Sequence, residues 1–383
     1  MFPQDRSRTW WMCGLCLALA MLAGRVSRAE QRGTPGRSQT STAGEAEPAI
    51  DVTIGSREVI RQRTEMPFVM DGSLATLRHD KDSWFFYHSE DWGKSHDKYC
   101  GTASNPFQTH VWHKDRNQMF DLNGRYANVH HAGLWLMNIY QVAGGELLGV
   151  VHIELHYQAP AVNQGEDYAL GVVHSSDGGE RWTFCGEIVR PKNSKGNVGG
   201  APLLAVGDYF HVYFNEHGPD GTRPAVARAK MADVLAAARD HKVTAWRKHR
   251  DGSWEEDGLT GLASNVLPNC AARGGHPTDL HADAAYNRAV GLYMITCWCY
   301  QERVGRLYLQ FSSDGIHFQK PYLLDEEPGQ WMPYSTFLAH ERDQDTNDMS
   351  TVGADFYVLI NHKSASNYGI DTLWRKKIHV ARK

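Results

Sequence analysis

The stretch GGAPLLAVGDYFHVYFNEHG (Gly199–Gly218) decides the fold of this 383-residue chain. It begins with small and aliphatic residues, passes through a Gly-Asp turn, and continues as an aromatic run that ends in polar residues. Two short apolar runs joined by such a turn are typical of a pair of antiparallel β-strands. We interpret the stretch as one unit of a repeat, because the same order of features occurs four more times.

The other four units are spread over most of the chain, with unit starts about 50 to 80 residues apart. They are Asp71–Glu90, His131–Tyr157, His281–Tyr300 and Met332–Ser364. Two further strands follow in most units, which gives about four strands per unit. Five such units predict an all-β fold, a five-bladed β-propeller. A β-sandwich is also rich in strands, but it would not explain a fivefold recurrence.

One segment breaks the β pattern. Pro224 to His241 (PAVARAKMADVLAAARDH) has Ala, Leu and Val at helical spacing. The sequence therefore predicts one short helix, inserted in the third blade.

Two hairpins carry a recognisable turn motif. In HSSDGGERWTF, the residues Ser175, Asp177, Gly179 and Trp182 fit S-x-D-x-G-x-x-W, and FSSDGIHF, with Ser312, Asp314, Gly315 and Phe318, is one residue shorter. Asp and Gly suit a tight turn, and the aromatic residue can pack between sheets. We expect two Asp-box hairpins with structural aromatic residues.

The N-terminus has the features of a targeting segment. Residues 1–29 contain two arginines, an apolar run of about 14 residues and small residues before Glu30, which predicts a signal peptide. Residues 30–64 are predicted to be a flexible linker, because Gln31 to Ala49 is rich in Gly, Ser, Thr and Pro. The propeller domain would then span residues 65–383. We expect a secreted or periplasmic protein, a monomer that has no contact with a membrane after cleavage.

Composition excludes some classes of protein. Lys and Arg total 40 and Asp and Glu total 44, a net charge of -4 that argues against nucleic-acid binding. Seven cysteines are too few for a disulfide framework in a chain of this length. Cys297 and Cys299 share one strand face, and we expect them to pack in the core rather than form a bridge or bind a metal.

The chain resembles the five-bladed propeller glycosidases, a group that includes arabinanases, xylosidases and fructosidases, from about Met66 to its C-terminus. The residues that carry the resemblance are Asp71-Gly-Ser73, Gly200-Ala-Pro202 with the GDYFHVYF that follows, and the two Asp hairpins. Ala245–Gly261 and HADAAYN also resemble uncharacterised secreted bacterial propellers that are glycosyl-hydrolase-like. The resemblance implies a hydrolase that acts on an oligo- or polysaccharide, with Asp71 as general base.

The general acid is not assigned by the resemblance, because the chain has no E-G-P or R-D-P segment. Glycoside hydrolysis needs two carboxyl groups. The candidates are Asp71 and Asp283 at the starts of innermost strands, and Glu154 and Glu216 near the ends of second strands. Asp71 and Asp283 could instead cap the turns that enter their strands.

Twenty histidines are about twice what we expect of a globular chain of this length. His152, Glu154 and His156 alternate with aliphatic residues, so all three point to one strand face, where they line a site or form an internal network. Candidate substrate-binding residues are His79, His131, His152, His156, His281, His362 and Trp298. Trp84, Trp92, Trp135, Trp331 and Tyr334 are further aromatic residues that could stack on sugar rings.

Three functions stay open on the sequence. The first is a glycosidase that uses carboxylate acid and base catalysis in the central pocket. The second is a polysaccharide lyase or a metal-dependent sugar enzyme that uses histidines, and the third is a carbohydrate-binding propeller without catalysis. We expect no cofactor, and a divalent metal bound by His and Glu is the alternative.

Overall fold

Each of the five repeat units supplies the innermost strand of one β-sheet and the strand that pairs with it in the computed structural model of this chain. The structure describes residues 49–62, 65, 70–142, 145–158, 167–219, 221–268, 281, 283–339, 350–364 and 371–383. Residues 48–383 form one compact unit. The sheets are the blades of a five-bladed propeller, so the predicted fold class is confirmed. The signal peptide predicted for residues 1–29 lies outside the described residues.

The strands follow the chain blade by blade. β1 (Ile50–Ile54) and β2 (Glu58–Gln62) come first and belong to the last blade. Blade one contains β3 (Ala75–Arg78), β4 (Trp84–Glu90), β5 (Ser95–Gly101) and β6 (Thr109–Asp115). Helix α1 (Arg116–Met119) and strand β7 (Phe120–Asp121) precede blade two, which contains β8 (His131–Gln141), β9 (Leu147–His156), β10 (Asp167–Ser175) and β11 (Trp182–Val189) and has β7 at its outer edge.

The remaining blades have the same antiparallel order. Blade three contains β12 (Leu203–Val206), β13 (Tyr209–Gly218), β14 (Gly221–Lys230), β15 (Arg247–Arg250) and β16 (Ser253–Asp257), with helix α2 (Met231–Arg239) between β14 and β15. Blade four contains β17 (Ala284–Asn287), β18 (Leu292–Gln301), β19 (Val304–Ser312) and β20 (Tyr322–Pro328). Blade five contains β21 (Gln330–Trp331), β22 (Ser335–Ala339), β24 (Asp355–Ser364) and β25 (Asp371–Arg382), while β23 (Thr351–Val352) pairs with β17 of blade four.

Side-chain hydrogen bonds join each blade to the next around the whole ring. The five contacts are Leu136 N to Ser89 Oγ (3.1 Å), Asn138 Nδ2 to Ala201 O (3.0 Å), Tyr213 Oη to Gly315 O (2.7 Å), Thr296 Oγ1 with Ser335 Oγ (2.7 Å), and Leu74 N to Thr336 Oγ1 (2.9 Å). Buried aliphatic and aromatic side chains fill the space between adjacent sheets. The core therefore lies between the blades, and the short innermost strands are left to surround the axis.

The N-terminal strands close the ring. β1 and β2 both pair antiparallel with β25, the strand at the C-terminus, for example Val52 with Val380. The prediction of a flexible linker for residues 30–64 is therefore wrong over Ile50–Gln62. Polar composition around this segment concealed two strands, because they alternate partly buried and exposed residues on an edge of a blade.

The predicted helix is shorter than expected. Pro224–Lys230 belongs to β14, which pairs with β13 along its whole length, and only Met231–Arg239 is helical. The Ala and Val residues of PAVARAK fit a strand period as well as a helical one, and pairing with the neighbouring strand decides between them.

The two Asp hairpins have closely similar hydrogen bonds. Asp177 Oδ1 accepts from Ser175 Oγ at 2.7 Å, and from the amides of Glu180 and Arg181 at 3.1 and 3.0 Å. Asp314 Oδ1 accepts from Ser312 Oγ, Ile316 N and His317 N, each at 2.8 Å. Trp182 and Phe318 are buried, as the sequence predicts for structural aromatic residues.

The cysteine prediction holds only in part. Cys297 is disulfide-bonded, whereas Cys100, Cys185 and Cys299 are free. A shared strand face correctly indicated that Cys297 and Cys299 are buried, but it carried no information about a bridge. In the part of the chain that the structure describes, no helix is long and apolar enough to cross a membrane.

Candidate active site

A cavity of about 150 Å³ lies where the chain enters the innermost strands, and residues from all five blades line it. They are Asp71 and Trp92 from blade one, Trp135, Met137, His152, Glu154 and Tyr168 from blade two, Asn197 before blade three, His281 before blade four and Tyr334 before blade five. Asp71, His281 and Tyr334 each stand within four residues of an innermost strand. This is how the ring symmetry places one polar or aromatic group from each blade around one point.

Asp71 is held by two aromatic donors. Trp135 Nε1 donates to one carboxylate oxygen at 3.0 Å, and the hydroxyl of Tyr334 donates to the other at 2.9 Å. Each oxygen thus has a fixed orientation and keeps a lone pair for a ligand or water in the cavity. The alternative that Asp71 caps a turn finds no support in these side-chain contacts, which come from blades two and five.

Glu154 lies beside two histidines on the adjacent wall. Its side chain is nearly buried, and its carboxylate oxygens lie 3.3 Å from His152 Nε2 and 3.6 Å from His156 Nε2. Burial by itself raises the pKa of Glu154, but hydrogen bonds and charge from His152 and His156 outweigh it and lower the pKa to about 2. Glu154 is therefore ionised at neutral pH, which does not fit the expectation that it acts alone as the general acid.

The other nitrogen of His152 fixes where the proton lies. Nδ1 of His152 is 2.6 Å from the carbonyl oxygen of Gly199, which can only accept, so this nitrogen is protonated. Nε2 is then the nitrogen that faces Glu154. His152 Nε2 and Glu154 Oε1 are 3.3 Å apart, and the pair is buried apart from its cavity side.

His156 and His131 continue this polar row away from the cavity. His156 is buried and stacks on His131 at a ring distance of 5.6 Å. His131 lines a second, more open cavity of about 270 Å³ together with Lys94, Asp115, Arg116 and Asn117. The two histidines thus connect the central cavity to a neighbouring basic depression.

Two predicted carboxylates lie elsewhere and bind the protein itself. Glu216 is fully buried, and one of its oxygens is 2.8 Å from the ammonium of Lys248. Asp283 accepts from the amides of Ala284 and Phe337, each at 2.8 Å. Both carboxylates join neighbouring backbone segments, so neither is a catalytic candidate in this structure.

Besides His131 and His156, three more predicted substrate-binding residues lie outside the cavity. His79 is exposed beyond the far end of β3, where it packs on Phe85. His362 is buried and 2.7 Å from Asp325. Trp298 packs near Trp331 at a ring distance of 6.5 Å. Strand position alone indicated these residues, and it does not distinguish the cavity face from the packing face of a blade.

Met137, Tyr168 and Asn197 were missed by the sequence reasoning. Tyr168 lies directly opposite Glu154 in the pairing of β9 with β10, so knowledge of the register would have indicated it. Asn197 stands six residues before β12, in the same kind of entry segment as Asp71. The signal in the sequence was this position before an innermost strand.

Metal-ligand spacing occurs outside the cavity. Among the described residues, one group of His, Cys, Asp or Glu side chains has donor atoms close enough to share an ion, and it consists of His88, Glu90 and Asp97 in blade one. All three are buried.

The fold is similar to that of several solved structures. An α-L-arabinofuranosidase from Podospora anserina, in complex with cellotriose, superposes with a TM-score of 0.50 at 8% identity, over 86% of this chain and 97% of that one. The chain has the fold of the five-bladed propeller glycosidases. A family 117 glycoside hydrolase from Zobellia galactanivorans (TM-score 0.49, 12% identity, 87% and 90% covered) and an endo-arabinanase from Bacillus licheniformis (0.48, 12%, 81% and 93%) are further examples of similar structures.

Comparison of the amino-acid sequence identifies no related family. No protein-family model matches the chain, and no curated protein matches it. The propeller glycosidase fold is therefore shared without recognisable sequence similarity, and function has to be argued from the cavity itself.

Proposed function

We propose that this protein is a glycan-acting hydrolase that cleaves a glycosidic bond in the central cavity. The observation that carries the proposal is the convergence of two carboxylates, Asp71 and Glu154, on one aromatic-lined cavity at the axis of the propeller. Two carboxyl groups on opposite sides of a bond are the usual requirement of glycoside hydrolysis.

Asp71 is the base in this proposal. It takes a proton from a water molecule, and that water attacks the anomeric carbon of the sugar. The two donors that hold Asp71 are a neutral indole and a neutral phenol, so neither forms an ion pair with the carboxylate. Trp92, Trp135, Tyr168 and Tyr334 provide apolar faces on which a sugar ring can stack.

The proton on His152 Nε2, which faces Glu154, is the acid in this proposal. It passes to the glycosidic oxygen as the bond to the anomeric carbon breaks, which leaves a neutral alcohol. Glu154, whose pKa is lowered to about 2, orients the imidazole of His152 rather than giving up a proton of its own. This revises the sequence expectation, in which the glutamate acts alone.

The size of the cavity favours a small part of the substrate. At about 150 Å³ it is smaller than the ~300–1,000 Å³ that is common for ligand pockets. We infer that the described walls enclose a terminal sugar residue rather than a long chain segment. We also propose a secreted or periplasmic location, on the basis of residues 1–29.

A lyase is the second candidate, and one observation favours it. Histidine and tyrosine rings meet in the cavity, with His281 and Tyr334 at 5.6 Å and His152 and Tyr168 at 6.0 Å. Such groups can remove the proton beside a uronic carboxylate. The product would be an unsaturated sugar, which absorbs in the ultraviolet, and it separates the two reactions.

The test is an assay of the purified protein on arabinan, xylan, fructan and uronate-containing polysaccharides. Asp71→Asn and His152→Gln should each lower kcat by about 10²–10⁴-fold. Asp51→Asn is the matched control, because Asp51 is an exposed carboxylate on β1, and it should leave kcat unchanged.

Three results would contradict the proposal. Full activity in Asp71→Asn would show that Asp71 is not the base. Unsaturated products would show that the protein is a lyase instead. Glycan binding with no product from any substrate would leave a binding protein.

A further inference from the structure

A row of polar side chains crosses three strands of blade one, apart from the residues used above. In the strand register, His88 of β4 lies opposite Asp97 of β5, and Asp97 lies opposite His113 of β6. Glu90 is two residues after His88 and so points to the same face of the sheet. Four potential ligands are thus brought to one face from three adjacent strands.

The distances within this row suit a single ion. Donor atoms of His88, Glu90 and Asp97 all lie within 4.8 Å of one another. His113 Nδ1 is 3.1 Å from Asp97 Oδ1 and 3.8 Å from Glu90 Oε1. Zn–N and Zn–O bonds of about 2.0–2.2 Å place two ligand atoms at most about 4.4 Å apart, so small side-chain rotations would bring all four within reach of one ion.

Charge and burial favour a cation at this place. Glu90 and Asp97 are almost completely buried, and two carboxylates in a buried cluster are costly unless opposite charge balances them. A divalent ion balances two carboxylates. His113 is 44% exposed and leaves a path for the ion from solvent, and His110 Nε2, 2.8 Å from Asp97 Oδ1, helps to orient the carboxylate.

We propose that His88, Glu90, Asp97 and His113 bind a divalent transition-metal ion, preferably Zn²⁺, within the first blade. Two imidazole nitrogens and two carboxylate oxygens form a ligand set that zinc accepts in tetrahedral geometry. The site lies outside the central cavity and is independent of the function proposed for it.

The position of the site connects it to the cavity through one turn. Glu90 ends β4 and Asp97 lies near the start of β5, and the turn Asp91–Gly93 between these strands carries Trp92 into the cavity wall. Trp92 and Gly93 both have left-handed backbone angles, with φ of 60° and 65°. An ion that joins the two strands would therefore hold this strained turn, and Trp92 with it, in place.

The experiment titrates the chelator-treated full-length protein with Co²⁺, whose visible absorption reports tetrahedral binding, and then with Zn²⁺ in competition. We expect one ion per chain. Asp97→Asn and His113→Gln should each weaken binding by at least about 10–100-fold. Asp355→Asn is the matched control, since Asp355 is a strand carboxylate that also faces a histidine, His379, at 3.3 Å, and it should bind as the wild type does.

The result has clear alternatives. Circular dichroism of each metal-free variant checks folding, and half-exposed His113 provides a substitution that spares the core if Asp97→Asn unfolds the blade. Absence of Co²⁺ binding in the wild type, or unchanged binding in His113→Gln, would overturn the proposal. Loss of binding in His152→Gln alone would place the ion in the central cavity and also overturn it.

Discussion

Glu216 and Lys248 form an ion pair from which water is fully excluded. Both side chains have no solvent exposure, and the ammonium also donates to the carbonyl oxygens of Arg190 and Gly261 at 2.7 and 2.8 Å. The amides of Lys192 and Ala263 donate to the carboxylate. Every charge of the pair thus has partners in the protein, which is the condition under which a buried pair is tolerated.

Lys248→Met should lower the free energy of unfolding by about 3–5 kcal/mol, because it leaves the Glu216 carboxylate buried without its cation. Urea unfolding measures the change. Lys192→Met is the control, and since Lys192 is exposed its effect should stay within about 0.5 kcal/mol. An equal effect of the two substitutions would mean that the pair is not what stabilises this region.

The position of Glu216 in its strand shows why the function of a residue could not be predicted from its type and strand position alone. The third residue from the end of the second strand is His88, Glu154, Glu216, Cys299 and His362 in blades one to five. Glu154 meets two histidines and the cavity, whereas Glu216 meets Lys248 from β15. The sequence predicted site roles for Glu154, Glu216 and His362, but the partners of Glu216 and His362 are Lys248 and Asp325, which come from distant segments.

The Asp hairpins act as connectors between blades. The hairpin of Asp177 packs its Gly179 against Tyr87 of blade one, where an added Cβ would come within 2.4 Å of the hydroxyl. The hairpin of Asp314 packs in the same way, with Gly315 accepting a hydrogen bond from Tyr213 of blade three. Each turn thus stabilises its own hairpin and the contact with the preceding blade.

Asp177→Ala should lower the free energy of unfolding by about 1–3 kcal/mol, since three donors lose a charged acceptor. Thermal and urea unfolding measure it. Asp208→Ala, in the exposed turn between β12 and β13, is the control and should have little effect. If Asp177→Ala unfolds like the wild type, the hairpin is held by packing of Trp182 rather than by its hydrogen bonds.

Strands and helices could be predicted from the sequence where the hydrophobic residues follow only one periodicity. The first two strands of each blade follow directly from two apolar runs and a turn, because both partners lie within about 20 to 30 residues. The prediction of a helix for the segment before α2 was wrong because alternating Ala and Val residues suit a strand as well as a helix. Ile50–Gln62 failed because its pairing partner, β25, lies at the other end of the chain.

Closure of the ring also depends on one buried carboxylate. Asp325 of β20 contacts His362 of β24, Lys376 of β25 and Arg57 between β1 and β2. Burial by itself raises the pKa of Asp325, but hydrogen bonds from His362, Lys376 and Arg57 outweigh this effect and lower the pKa to about 2. Blade four is thus tied to both ends of the chain through ionised Asp325.

Low pH should weaken the contacts of Asp325 and so lower the free energy of unfolding. Because the pKa of Asp325 is lower in the folded state than its ordinary value of 3.8, its contribution is complete above about pH 4 and is lost as the pH falls toward 2. The contribution is on the order of 2 kcal/mol. Urea unfolding between pH 7 and pH 2.5 should show a smaller loss of stability in Asp325→Asn than in the wild type. If the stability of the two proteins falls equally with pH, ionisation of Asp325 does not contribute to the pH dependence.

The sequence by itself determined the number of blades and the two innermost strands of each one. These are local properties, set by alternation and turn chemistry within each unit. Which carboxylates meet at the axis was decided by the closure of the ring and the register of neighbouring strands. Asp71 receives its hydrogen bonds from blades two and five, so the cavity exists only when five distant segments have come together.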